Sequence, residues 1–278
     1  MRAAWQIPET MMETSASIHT LPAGFRGPAL RHRLMAAAMH CAISAVLALG
    51  VMAAIVGLGY PEPWFHASGG RSLLLLIVTV DVVMGPALTF VVFDRRKKSL
   101  KVDLAVIALL QLAALSYGLH ATVMGRPVFQ TFVVDRFEVV SAAEVDPAEL
   151  ALAPQPMRRL GWGRPALAAT QRPTDPELRE QLVFAATSGI DLRHLLRFYV
   201  PYEQQREAVL KAAQPLTALA GFNRQDLIDA RLKGVRVDPA TLRWLPVSAS
   251  REDLVALIDA RTAELRAVVR LSPWPVKQ

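Results

Sequence analysis

Two apolar stretches joined by a short basic turn limit this chain more than any other feature. Residues 72–93, SLLLLIVTVDVVMGPALTFVVF, carry one formal charge, Asp81, near their middle. Residues 104–125 carry none and hold one central amide, Gln111. Between them lies the turn DRRKKSLK, residues 94–101. A helix crossing a hydrocarbon core about 30 Å thick needs about 20 apolar residues, and both stretches reach that length. A third run, residues 34–59, has no formal charge and follows Arg31 and Arg33. It is too long for the apolar core of a signal peptide, and it ends in the bulky YPEPWF rather than in small residues. It reads as a retained span, with Tyr60 and Trp64 as an aromatic anchor at the membrane surface. Gly50 and Ala54, and Ala53 and Gly57, are spaced at four in it, which allows close helix approach.

The charge pattern orients the spans. The formal charge is +7, yet the chain from Arg126 onward carries 21 basic against 18 acidic residues. The excess lies beside the spans, at Arg31 and Arg33 and at Arg95, Arg96, Lys97, Lys98 and Lys101. That placement sets topology and favours contact with anionic lipid, and it argues against a nucleic-acid partner. The N-terminus and the basic turn are expected inside, the first loop and everything after residue 125 outside, which in a two-membrane bacterium is the periplasm. The composition, 53% hydrophobic with positive mean hydropathy, agrees with a membrane protein that has a soluble part.

The expected architecture is a three-helix membrane bundle followed by a small α+β domain. Residues 1–33 form a disordered cytoplasmic tail in which Met11 and Met12 are further candidate starts. Residues 34–125 form the membrane domain, with spans 34–59, 72–93 and 104–125. Residues 126–278 form the soluble domain. Within it, residues 127–134 and 137–140 read as two short strands turned at Asp135-Arg136. Residues 151–172, with three prolines, read as a loop. Residues 174–187, 202–213 and 225–232 read as helices, and residues 243–247 as a strand. Residues 250–271 fit helical spacing and strand alternation alike, with 259–263 as the possible hairpin loop.

Candidate chemistry sits in the membrane. At about 1.5 Å per residue, Asp81 lies about 18 Å deep from the basic-turn side, Ser44 about 15 Å and Gln111 about 14 Å. A carboxylate in hydrocarbon costs at least ~2.5 kcal/mol, so Ser44, Asp81 and Gln111 are read as a polar cluster that fixes helix register. Gly85-Pro86 marks a kink, and the carbonyl freed by the proline needs a partner from Thr89 or a neighbouring helix. The histidines (His19, His32, His40, His66, His120, His194) show no metal-binding spacing, and the single cysteine, Cys41, permits no intrachain disulfide. No cofactor, small-molecule or catalytic motif is present, so an enzyme is not expected. Asp135 and Glu138 around Arg136 read as a turn salt bridge, and residues 193–199, RHLLRFY, as a solvated helix face.

The order of several residues resembles the type IV pilin accessory proteins called TfpX/TfpZ. The match runs through Tyr60-Pro61-x-Pro63, Gly69-Gly70, Val80-Asp81, Gly85-Pro86-x-Leu88-Thr89, Asp103-Leu104, Gln111, Tyr117-Gly118, Arg126-Pro127 and Asp135-Arg136-Phe137. It is densest over residues 60–137 and patchier at Tyr199-x-Pro201-Tyr202, residues 254–259 and Pro273-Trp274. The resemblance implies a multi-pass inner-membrane protein that assists assembly of a cognate type IV pilin and is not an enzyme. It also implies a hairpin near the C-terminus, where the family has Thr-Gly and this chain has Thr262-Ala263; alanine resists the positive φ that glycine accepts. On this reading Asp81 could face the pilin's membrane helix, and residues 193–199 the pilin head. The alternative is a membrane-anchored periplasmic sensor or interaction module not specific to pili.

Overall fold

The computed structural model describes residues 28–187, 189, 191–235 and 237–275. Residues 1–27, including Met11 and Met12, lie outside them. Among the described residues three helices are long and apolar enough to cross a membrane. Helix α1 (Pro28–Ala54) continues through a π-helical turn, Ile55–Gly59. It starts at Pro28, inside the stretch expected to be tail, and proline is well suited to a first helical turn. Helix α2 (Gly70–Val92) is interrupted by a π-helical segment, Thr79–Met84. Helix α3 spans Leu100–Gly125. Large apolar side chains such as Met39, Val46, Val91, Leu109 and Leu110 are exposed on the bundle, as suits a lipid solvent.

Helix α2 is the central element and packs on both of its neighbours. Small residues allow the approach of α3. A Cβ on Gly118 would sit 2.7 Å from the Ile77 side chain, and one on Gly85 would sit 2.1 Å from the Gln111 amide. At the basic-turn end, Arg33 of α1 donates to the Val91 carbonyl at 3.0 Å and lies 4.0 Å from Asp94. Its charge therefore meets the open carbonyls at the C-terminal end of α2. Lys97 pairs with Asp103 at 2.6 Å, while Arg31, Arg95, Arg96, Lys98 and Lys101 stay exposed.

The soluble domain is α+β, built on one mixed sheet. Its strands are β1 (Pro127–Val133), β2 (Arg136–Ser141), β3 (Ala166–Thr170), β4 (Tyr199–Pro201), β5 (Gln214–Pro215), β6 (Leu242–Ser248), β7 (Leu254–Asp259) and β8 (Leu265–Val269). The order is β4-β3-β1-β2-β6-β7-β8, with β5 beside β6. The β1–β3 and β2–β6 pairs are parallel and the rest antiparallel. Helices α4 (Pro147–Leu152), α5 (Pro176–Thr187), α6 (Arg206–Ala212) and α7 (Gln225–Leu232) fill the connections. One apolar core holds Phe132, Phe137, Leu245, Ala256 and Ile258. Two smaller cores cover the opposite face, around Val128 and Leu196 and around Trp244 and Leu257.

That burial on both faces decides residues 250–271. They form the β7–β8 hairpin, not a helix. In β7, Leu254, Ala256 and Ile258 enter one core, Val255 and Leu257 the other, so the strand is apolar from Leu254 to Ile258 and shows no alternation. The stretch expected to be a loop, residues 151–172, contains β3. Its alanines, Ala168 and Ala169, are fully buried between the cores, where larger side chains have no room.

Among the described residues, two turns carry positive φ at residues other than glycine. Ala263 takes φ 60 in the β7–β8 loop, as the hairpin requires, in spite of its Cβ. Its methyl is fully buried, so glycine there would relieve strain and lose packing together. Val134, at φ 61, is exposed. The β1–β2 turn falls one residue earlier than expected, at Val134-Asp135: Val133 pairs with Arg136, and the Asp135 amide donates to the Val133 carbonyl at 2.7 Å across Val134. A left-handed conformation costs an L-residue roughly 1–2 kcal/mol, and glycine returns about 0.4–1 of that through the unfolded chain. Val134→Gly is expected to stabilise the domain by about 0.5–1 kcal/mol in a denaturant melt.

The β7–β8 loop is also sensitive to acid. The Asp259 carboxylate accepts from the Thr262 and Arg261 amides at 2.9 and 3.0 Å and from Arg266 at 3.1 Å. Those bonds, the Thr262 amide first, hold its pKa well below the usual carboxylate range. A depressed pKa gives stability that is complete above the ordinary aspartate value and is lost as pH falls toward the folded one. Thermal melts from pH 6 to pH 3 should therefore fall more steeply for the native chain than for Asp259→Asn.

Candidate functional site

Proline 86 organises the polar interior of the bundle. It has no N–H, so the carbonyls that a helix would pair with residue 86 are left open. These are Val82 in α-helical spacing and Asp81 in π-helical spacing. Each receives a donor from a neighbouring helix. Gln111 Nε2 of α3 donates to the Asp81 carbonyl at 3.2 Å, and Cys41 Sγ of α1 reaches the Val82 carbonyl at 3.8 Å. Gly85 makes room for the glutamine. The contact between Gln111 and Asp81 thus uses the aspartate backbone and not its carboxyl. The Asp81 side chain is 9% exposed, and its Oδ1 is buried with no hydrogen-bond partner among the described residues. Ser44 is buried on α1.

His40 joins this interior beside Thr89, the residue expected as a partner near the proline. His40 Nδ1 lies 2.6 Å from Thr89 Oγ1. Thr89 is therefore engaged with α1, and donors from α1 and α3 meet the carbonyls that Pro86 leaves open. Histidine spacing along one helix gives no sign of a partner on another, so the pairing of His40 with Thr89 was not legible. Among the described residues no group of three or more His, Cys, Asp or Glu is placed to hold a metal ion.

Toward the domain, α1 and α3 diverge and leave an apolar groove of about 440 Å³. Val46, Gly50 and Ala54 line one wall, and Leu119 and Val123 the other. Nothing lies within 4 Å of where a Gly50 Cβ would be. Tyr60 and Trp162 border the groove as well. Tyr60 is 1% exposed and donates to the Thr122 carbonyl at 2.9 Å. Burial pushes its phenol up to about 12, against a smaller opposing pull from Arg126. Arg126 donates to the Val123 carbonyl at 2.6 Å, capping α3, and its guanidinium lies 4.3 Å from the centre of the exposed Trp162 ring.

The expected aromatic anchor is corrected here. Tyr60 and Trp64 are buried in protein, not set in the membrane surface. Trp64 and Ala67 belong to the domain core with Phe132 and Ile258, and the Arg251 amide donates to the Ala67 carbonyl at 3.0 Å. The loop between α1 and α2 is thus part of the soluble domain. Residues 193–199 are also not a free helix face. They form two 3-10 turns in which Arg193 pairs with Glu138 at 3.4 Å and Arg197 with the buried Glu149, its Nε at 3.0 Å. Arg136 bonds Asp135 at 2.9 Å, as a turn salt bridge.

No protein-family model matches the chain, and no solved structure does. Three fimbrial assembly proteins of Dichelobacter nodosus are similar to it. That of serogroup E1 is 29% identical over 219 residues, 77% of this chain and 85% of that protein. That of serogroups C1 and C2 is 33% identical over 121 residues, 41% of this chain and 92% of that protein. The serogroup I protein is 32% identical over 192 residues, covering 67% of this chain and 75% of its own length. A membrane bundle locked around Pro86 and joined to an α+β domain through residues 60–69 is therefore the setting of a pilus assembly role: the chain belongs to the family of fimbrial assembly proteins.

Proposed function

We propose that this protein is an inner-membrane accessory protein that assists assembly of a cognate type IV pilin, in the manner of the TfpX/TfpZ proteins it resembles, and that it is not an enzyme. The N-terminus and the basic turn face the cytoplasm and anionic lipid, and the domain of residues 126–278 faces the periplasm. The exposed Arg95, Arg96, Lys98 and Lys101, at the bundle end away from the domain, support that orientation. The pilin is held through the membrane spans and the periplasmic domain.

The observation that carries this reading is the open groove between α1 and α3. Its Gly50-x-x-x-Ala54 wall lets a second helix approach closely, which is how apolar helices associate in lipid. Leucine at Gly50 meets no atom within 4 Å of its Cβ, so Gly50→Leu should fold normally while filling the groove. Cells carrying it are expected to lose at least nine-tenths of their surface pili at unchanged levels of the protein. A photoreactive side chain at Leu47 should crosslink to the pilin's apolar helix. Normal piliation in the variant, with no pilin crosslink from Leu47, rejects the reading.

A further inference from the structure

Strand β8 ends the sheet and pairs with β7 alone. Beside it runs a cleft of about 270 Å³ lined by residues 265–268, Gln130 of β1, Leu167 of β3, and residues 62–64. Successive side chains of a strand point to opposite faces. A cleft lined by four consecutive residues therefore follows the backbone edge, where the unpaired N–H and C=O groups of a terminal strand lie.

Three needs converge in this cleft. The β8 edge lacks a ladder partner. Gln130 is 2% exposed, and its Nε2 has no hydrogen-bond partner among the described residues, which native proteins rarely allow for a buried donor. Arg164 is exposed and makes no hydrogen bond or ion pair among the described residues. The other charges there are already engaged. Arg266 pairs with Asp259 and Glu264, and Glu62 accepts from His66 at 2.9 Å. What is missing is a run of backbone groups, an acceptor for the amide, and a carboxylate for Arg164.

An extended polypeptide segment bearing a carboxylate supplies all three. We infer that β8 is a strand-addition site for an extended, carboxylate-bearing segment of the pilin's periplasmic part, with Gln130 and Arg164 reading that segment. This rests on the pilin reading above. The two sites are continuous: Tyr60 borders the groove and residues 62–64 wall the cleft. A helix seated in the groove therefore leaves the membrane beside β8. Backbone pairing at the edge supplies affinity, and the donors at the side supply selectivity.

The test uses the full chain in cells that make the cognate pilin. A benzophenone side chain is placed at Arg266 on β8 or, separately, at Leu47 in the groove. Both positions are expected to crosslink to pilin. Arg164→Glu and Gln130→Leu should each reduce the Arg266-site crosslink at least fivefold and leave the Leu47-site crosslink unchanged. Arg164 is exposed, so its variant tests recognition even if the Gln130 variant folds poorly. A Leu47-site crosslink to pilin without one from the Arg266 site overturns the strand-addition inference and spares the proposed function. A crosslink from the Arg266 site to a second copy of this chain also overturns it. Absence of pilin from both positions removes the proposed function and the inference together.

Discussion

Replacing Trp64 with alanine is expected to lower the stability of the soluble domain by about 3–5 kcal/mol, although Trp64 lies in the loop between two membrane helices. The side chain is 4% exposed and packs in the largest apolar core with Phe132, Leu254 and Ile258. Its removal leaves a cavity that the sheet cannot close without moving strands held on both faces. Thermal unfolding of the full chain in detergent, followed by near-ultraviolet circular dichroism, should show a midpoint lower by roughly 10 °C. Trp162→Ala provides the comparison. That ring is 60% exposed and stacks only against the Arg126 guanidinium among the described residues, so its loss should cost no more than about 1 kcal/mol. Equal effects from the two substitutions would return Trp64 to the role of a membrane-surface anchor.

The same tryptophan marks the limit of what the sequence could tell. The spans were legible because length and hydropathy are summed along the chain, and the structure places all three. The basic turn was legible for the same reason. Tyr60-Pro61-Glu62-Pro63-Trp64 reads equally as an anchor or as core, since an aromatic side chain beside a span satisfies both patterns. Only the fold shows that residues 190 or more positions away in the chain, Leu254 to Ile258, cover it. The hairpin of residues 254–269 was ambiguous because strands buried twice lose the alternation that identifies strands. Strand β3 was missed because Ala-Leu-Ala-Ala-Thr has no β preference of its own; it is a strand because β1 pairs beside it.

The groove was legible in part. The Gly50 and Ala54 spacing is in the sequence, but whether a helix already occupies that face depends on how α1 and α3 splay about α2. The polar interior was legible in its residues and not in its bonds. Ser44, Asp81 and Gln111 were grouped by depth. What joins Gln111 to α2 is a backbone carbonyl released by Pro86, and what joins Cys41 is the next carbonyl. Depth along a helix locates side chains and says nothing of which carbonyl is free.

That distinction reverses the expected effect of changing Asp81. If its carboxyl fixed helix register, leucine there would loosen the bundle. In the structure the register bond belongs to the Asp81 backbone, which leucine keeps, while the carboxyl Oδ1 is buried and unpaired among the described residues. A carboxyl in the middle of a span costs at least ~2.5 kcal/mol, and leucine is favourable there. Asp81→Leu is therefore expected to stabilise the bundle by about 2.5 kcal/mol, whereas Gln111→Leu, which orphans the carbonyl, should destabilise it by about 1 kcal/mol. Unfolding of the full chain in mixed micelles with increasing dodecyl sulfate measures both. A less stable Asp81→Leu would mean that the carboxyl is itself a structural contact. With the expected order of stabilities, pilus number becomes decisive. A variant that is more stable, reaches the membrane at native levels and still fails to support pili would assign the Asp81 carboxyl to the client helix, because its own fold would be better without it.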